Sequence, residues 1–367
     1  MISAGVPGKG PLRGGPKATD AQASVAAHSQ TRGTMKIAIV GVGAIGGYVG
    51  HCLAQSGEDV TFIARGKNLE ALRSGGIRLL QADGSEQVVP KVKATADYAA
   101  TGPQDLVILA MKAHQLESVA LDVPKLFGPD TIVVPMQNGI PYWYFHGHPS
   151  RFAGTRLQSV DPSGVIGSHI PAQRVIGCVV YPATELIAPG VVRHVEGNRF
   201  PVGEPDGTTS ARVALVADCL VRAGLQAPVL GDIRSEIWLK LWGNMTFNPI
   251  SALSRATLAD ICQYPPSRAL AAEMMTEAQN IAAKLGVTFR VSIDKRIAGA
   301  ERVGHHKTSM LQDVEAARTL EIDALLGSVI ELARLTDTPA PHLDAVYALT
   351  KLLAKSLEDG KSPGISG

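Results

Sequence analysis

The stretch MKIAIVGVGAIGGYVGHCLAQSGEDVTFIAR, Met35 to Arg65, decides the fold. It opens with an apolar run of strand character, passes through a glycine turn, continues as a helix to about Gln55 and ends in a second run, DVTFIA. Strand, turn, helix and strand make a βαβ unit, whose two strands lie parallel. Gly41, Gly43 and Gly46 stand in the turn with the spacing G-x-G-x-x-G. In that setting the first glycine permits the tight turn, the second lets backbone approach a pyrophosphate, and the third lets helix and strand pack closely. Ala44 and Ile45 begin the helix, so its positive end faces the phosphates.

The residue that follows the second strand chooses between dinucleotides. Sheets that hold NAD place Asp or Glu there for the ribose 2′-hydroxyl, whereas this chain has IARGKN, with Arg65 and then Lys67. An arginine pairs with a 2′-phosphate, so the expected cofactor is NADPH.

Further buried strands are expected at DLVILAM (105–111) and TIVVPM (131–136), separated by a helical segment. The alternation argues for a parallel sheet covered by helices. Lys112 and Asn138 follow these strands at their carboxyl ends, where ligands bind in open α/β sheets. A snorkelling lysine and a turn-forming Asn-Gly are the plainer readings of the two. RVIGCVVYP and PGVVRHVEGNRFPVG read as strands that close the first domain, and from about Thr208 the pattern turns helical. The expected architecture is α/β: an N-terminal Rossmann-type doubly wound domain over 35–206, followed by an all-helical C-terminal domain over 207–356. Residues 1–34, rich in Gly, Ala, Ser and Pro, read as a disordered leader, and 357–367 as a loose tail.

Composition narrows the class. A chain of 367 residues with 45% hydrophobic residues buries a large core, and a formal net charge of +2 without blocks of like sign gives nucleic acid and membrane surfaces nothing to attract. Cys52, Cys178, Cys219 and Cys262 are far apart in apolar runs, as in a reduced cytoplasmic protein with neither a disulfide frame nor structural zinc. The ten histidines lack metal-ligand spacing, and no apolar run approaches the ~20 residues of a membrane span.

One helix carries an unexpected pattern. In EIWLKLWGNMTFNPISAL (236–253), Trp238, Trp242 and Met245 fall on one apolar face, while Lys240, Asn244 and Asn248 recur every fourth residue on another. No Glu or second Lys interrupts that stripe, so it faces something polar other than bulk water.

GVGAIGG, AMKAHQ, QNGI, the helix just quoted and SMLQDVEAARTLEIDALLG occur in the order and approximate spacing of the ketopantoate reductases, the 2-dehydropantoate 2-reductases, which the chain resembles over roughly 35–354. The resemblance implies a Rossmann domain and a helical domain with the active site in the cleft between them. It implies that Lys240 is the general acid for the ketone oxygen and that Asn244 and Asn248 complete a polar wall. It further implies that Glu321 hydrogen-bonds substrate, that Ser309 meets the substrate carboxylate and that Asn138 faces both substrate and cofactor. Ser309 with Gln312 also reads as a helix capping box, and Lys240 with Glu321 as a structural ion pair.

Two segments depart from the family: an aromatic insertion over 141–173, with Tyr142, Trp143, Tyr144 and Phe145 in a row, and the turn His305, His306, Lys307 before Ser309. The aromatic row reads either as an apolar wall that admits a 2-oxo acid bulkier than ketopantoate or as packing. The expected function is NADPH-dependent reduction of a 2-oxo acid, ketopantoate to pantoate in pantothenate biosynthesis, with self-association as a homodimer left open. The alternative is a non-catalytic dinucleotide sensor, for which the second-domain set of Lys240, Asn244, Asn248, Ser309 and Glu321 has no use.

Overall fold

The computed structural model describes residues 33–360, so the expectations for the leader and for 361–367 lie outside the described residues. Strands β1 (Lys36–Val40), β2 (Asp59–Ile63), β5 (Lys93–Thr95), β6 (Gln104–Leu109) and β7 (Phe127–Pro135) form a parallel sheet in the order β5-β2-β1-β6-β7. Strand β1 is buried on both faces beyond Lys36, and successive side chains divide between two layers. Ile37 and Ile39 pack with Tyr48, Val49 and Leu53 of α1 (Ala44–Gln55), while Ala38 and Val40 share the opposite layer with Val107 and Leu109.

Four pieces of this half differ from the sequence reading. The first is a second sheet that it did not anticipate: β3 (Ile77–Leu80) and β4 (Glu86–Val89), which follow α2 (Gly66–Gly75), join β9 (Ala183–Ala188) and β10 (Val191–Glu196) in the order β4-β3-β10-β9. Secondly, the segment between β6 and β7 is three 3₁₀ turns and not a regular helix. Pro124 has no N–H to continue an α-helical ladder there. Thirdly, RVIGCVVYP contributes only β8 (Gly177–Cys178), paired with β11 (Val202–Gly203). Two one-turn helices, α3 (Tyr98–Thr101) and α4 (Val165–His169), complete the half.

The fourth difference concerns where the halves meet. Helix α5 (Ala211–Arg222), assigned by the sequence reading to the second domain, sinks Val213, Val216 and Leu220 into the layer that holds Ile37, Ile39 and Phe62. The side chains change core at Ile233, the first residue of α6 (Ile233–Ser254). Thereafter the chain is helical: α7 (Leu258–Gln263), α8 (Pro265–Lys284), α9 (Ile293–Val303), α10 (Ser309–Glu315), a π-helical turn (Asp323–Gly327), α11 (Ser328–Leu335) and α12 (Pro341–Glu358). Leu357 and Glu358, expected in a loose tail, end α12.

The aromatic insertion is packing. Trp143, Tyr144 and Phe145 are buried in the layer shared by the sheet and α6. The Trp238 indole donates to the Tyr144 hydroxyl at 2.8 Å, and the Tyr142 hydroxyl donates to the Ile170 carbonyl at 3.0 Å. The Arg234 Nε donates to the Tyr144 carbonyl at 2.8 Å. The run fastens α6 to the sheet, and none of its four rings lines the cleft described next.

Candidate active site

The glycine turn meets its three requirements separately. Gly41 has φ +91°, a conformation L side chains rarely adopt, and a Cβ there would stand 3.0 Å from the Met111 backbone nitrogen. A Cβ on Gly46 would overlap the Gly41 carbonyl oxygen, so this glycine lets α1 approach β1. Around Gly43 nothing lies within 4 Å of such a Cβ, and the space in front of the α1 N-terminus is open. No side chain caps that end of α1. A cavity of about 370 Å³ runs from Gly41 and Gly43 to Arg65, Asn68 and Tyr98, within the size range of ligand pockets. Arg65 is exposed at its mouth.

A second cavity, of about 380 Å³, reaches from Ala44, Ile45 and Asn138 to the wall made by α6. The Asp232 side chain accepts from the Ser235 N–H at 2.9 Å and starts that helix. Its apolar side is anchored by Trp242, whose indole donates to the Met275 carbonyl at 2.8 Å and whose ring stacks on Phe289 at 4.0 Å. This leaves Lys240, Asn244 and Asn248 on the cavity wall, opposite the start of α1 and beside Ser309. The polar stripe faces the cleft.

Lys240 is held before any ligand arrives. Its Nζ donates to Asn138 Oδ1 at 2.6 Å and to the Val180 carbonyl, and lies 5.9 Å from the centre of the Tyr181 ring. Burial lowers its pKa to about 8, with the Glu321 carboxylate and Cys178 pulling partly the other way. Asn138 is thereby more than a turn residue. Gly139, at φ +90°, lies so close that a Cβ would overlap the Ala324 carbonyl oxygen of the π-helical turn.

Lys112 and Glu321 sit differently from the expectation of the sequence reading, and Ser309 loses only its plainer alternative. Lys112 is engaged across the halves, donating to Asp313 Oδ2 at 2.6 Å and to the Thr319 carbonyl at 3.2 Å. Glu321 is not among the residues lining the second cavity; its Oε1 accepts from the Ala113 N–H at 3.2 Å and burial raises its pKa. Among the described residues it makes no ion pair with Lys240, so the structural pair does not form. Ser309 is not a cap: Thr308 caps α10, accepting from the Leu311 N–H at 3.3 Å, and this frees the Ser309 hydroxyl for the cavity. The adjacent histidines diverge, with His306 on the cavity and His305 against Thr257 at 3.3 Å.

The sequence reading missed Tyr181, Gly243 and Arg296, all of which line the cavity. Tyr181 donates to Glu236 Oε1 at 2.9 Å, a buried carboxylate that also pairs with Arg199 at 2.6 Å and with Arg290. Gly243 carried an unread signal, because a glycine inside a helix costs ~1 kcal/mol against alanine and marks a close approach. What approaches is Arg296: a Cβ at 243 would overlap its Nη2 and lie 2.8 Å from its Cζ. Among the described residues, no three His, Cys, Asp or Glu side chains gather as metal ligands.

A glycine-turn cavity next to one lined by a half-buried lysine and amides is a layout that suits an oxidoreductase working beside a dinucleotide. Comparison with known proteins gives the family. The profile described as Ketopantoate reductase PanE/ApbA matches residues 37–207, and that of its C-terminal domain matches 232–354. A 2-dehydropantoate 2-reductase of Mesorhizobium japonicum is 56% identical over 321 residues, covering 87% of this chain and 98% of the relative. One from Pyrococcus horikoshii is 31% identical, over 86% of this chain and 97% of its own. A Ralstonia solanacearum structure solved as a candidate ketopantoate reductase superposes with a TM-score of 0.84 at 44% identity, covering 88% of this chain and 99% of that one. A D-mandelate dehydrogenase, solved with NADH and anilino(oxo)acetate, shares the fold with a TM-score of 0.76 at 24% identity, over 88% and 100% of the chains. The chain belongs to the ketopantoate reductase family and is an oxidoreductase. Its parallel-sheet domain and helical second half are the fold of that family.

Proposed function

We propose that the protein reduces 2-dehydropantoate to pantoate with NADPH, in the pathway to pantothenate and in the cytoplasm. The observation that carries this reading is Lys240, a partly desolvated cation fixed by Asn138 and Val180 on the wall that faces the dinucleotide turn. When bound, NADPH supplies hydride to the carbonyl carbon. The chain's own task is to place the ketone oxygen at Lys240 Nζ, which stabilises the charge that develops there and gives up a proton. With its pKa lowered to about 8, the ammonium is present at neutral pH and releases its proton more readily than an ordinary lysine.

Gly41, Gly43, Ala44, Ile45 and Gly46 present backbone to the pyrophosphate, and Arg65 takes the 2′-phosphate, no acid standing at the end of β2. Asn138, Asn244 and Asn248 orient the substrate, together with Ser309 at its carboxylate. Among the described residues the Asn248 side-chain amide makes no hydrogen bond and opens on the cavity, which leaves it available to a ligand. Glu321 acts through Lys240, whose proton its carboxylate favours. Lys112, next in the chain to Met111 of the glycine-turn cavity, holds Asp313 of α10 against the sheet domain.

The rival with most behind it is a bulkier 2-oxo acid, since the D-mandelate dehydrogenase of the same fold holds anilino(oxo)acetate. Its structural motive is gone, because the aromatic run is packed away from the cleft. Steady-state kinetics with 2-dehydropantoate, phenylglyoxylate and 2-oxoisovalerate, each with NADPH and NADH, test the reading. 2-Dehydropantoate with NADPH gives the highest kcat/KM, and a higher value for phenylglyoxylate would overturn the substrate assignment.

A further inference from the structure

Among the described residues Arg296 has no counterion. The other inward-facing arginines are satisfied: Arg199 and Arg212 by carboxylates, Arg234 and Arg174 by backbone carbonyls at 2.6 to 3.2 Å. Among the described residues the Arg296 guanidinium has neither a carboxylate nor a carbonyl; it faces the Phe247 ring at 6.0 Å and the cavity. The only acid lining that cavity, Glu185, is paired with Arg193 at 3.2 Å. The cavity therefore contains two cations, Lys240 and Arg296, and no uncommitted carboxylate among its described lining residues.

The position is built. Arg296 reaches α6 at Gly243, one turn after Lys240 on the same face, and the missing side chain there makes the room that the guanidinium occupies. An unpaired guanidinium in a partly desolvated cleft is completed by a planar anion that matches its fork. A 2-oxo acid has such an anion next to its ketone.

Resting on the reductase reading, we propose that Arg296 is the carboxylate clamp of the cleft: it binds the C1 carboxylate of the 2-oxo acid, Ser309 adds a hydroxyl hydrogen bond, and the adjacent ketone is thereby aimed at Lys240. Arg296 acts on binding and orientation, whereas Lys240 acts on the proton.

The test compares wild type, Arg296→Gln, Arg296→Lys, Gly243→Ala and the Arg296→Gln/Gly243→Ala pair, using 2-dehydropantoate and its uncharged lactone. Arg296→Gln lowers kcat/KM for the acid by about 10- to 100-fold, mainly through KM, the usual size of a lost charge-assisted hydrogen bond, and leaves the lactone within about threefold. Arg296→Lys restores part of the loss. Gly243→Ala, whose Cβ displaces the guanidinium, reproduces the loss, and the pair adds little to either single change. Equal losses on acid and lactone, or an unchanged acid, would make Arg296 a packing residue and overturn the proposal. A separate titration of the NADPH-bound protein with oxamate, an isostere of a 2-oxo acid, isolates the clamp from the reaction. Oxamate binding that disappears in Arg296→Gln upholds the clamp even if 2-dehydropantoate is not turned over, a result that would sink the reductase assignment alone. Wild type that does not bind oxamate overturns the clamp.

Discussion

The two ends of the cleft are made of different materials. At the glycine-turn end, the proposed recognition surface is mostly backbone: three glycines and an uncapped helix start, with one exposed arginine, all within a single βαβ unit. At the α6 end it is side chains drawn from far apart, with Asn138, Lys240, Arg296 and Ser309 meeting across the two halves. A backbone site is stiff and specified by local sequence, so its demands fall on glycine positions. A side-chain site is specified only once the whole chain is folded, and its burial gives it the electrostatic leverage that chemistry needs.

This contrast can be broken from either side. Lys240→Ala removes the proposed proton donor and lowers kcat by about 10²–10⁴-fold, while NADPH affinity, followed by fluorescence titration, stays near wild type. A large loss of NADPH affinity would show that the two ends are not separate. Next in size is Trp143→Ala, which empties a buried site between sheet and α6 and costs about 3–5 kcal/mol in chemical denaturation, leaving the ranking of 2-oxo acids unchanged. A reordered ranking would return the aromatic run to the cleft. Arg65→Asp shifts the NADPH/NADH ratio of kcat/KM toward NADH by about 10- to 100-fold, because a carboxylate repels the 2′-phosphate and accepts from a 2′-hydroxyl. An unmoved ratio would remove Arg65 as discriminator.

The smallest effects are in pH. On the proposed mechanism reduction requires the Lys240 ammonium, so kcat is full below a pKa of about 8 and falls as pH rises through it. The Glu321 carboxylate favours that proton, so Glu321→Gln moves the descending limb to lower pH, by less than about one unit for a charge acting without direct contact. A limb that moves upward would contradict the electrostatic role.

Much of the fold was legible because its signals are local. The βαβ unit, the glycine spacing and the apolar runs of β6 and β7 each announce themselves within a few residues. The polar stripe of α6 was legible for the same reason, as helical periodicity places Lys240, Asn244 and Asn248 on one side. What escaped depends on distant partners. β3 and β4 are short, half-exposed strands that become a sheet only by pairing with β10. Helix α5 resembles the helices after it, and only its choice of core assigns it to the sheet. Arg296 lies in IDKRIAGAERV, a stretch whose charges read as a solvated helix face, and only the fold brings it to Gly243.

The glycines of the turn also separate two kinds of selection. In a saturation library at Gly46, any side chain collides with the Gly41 carbonyl, and variants would be lost at the stage of folding. At Gly43 a methyl group meets only empty space in the free protein, so an alanine clone would express and melt like its parent yet present a smaller doorway to its nucleotide. A screen that sorts clones by solubility would therefore recover Gly46 and be blind to Gly43, and the difference between that screen and one sorted by growth would trace the outline of the bound cofactor.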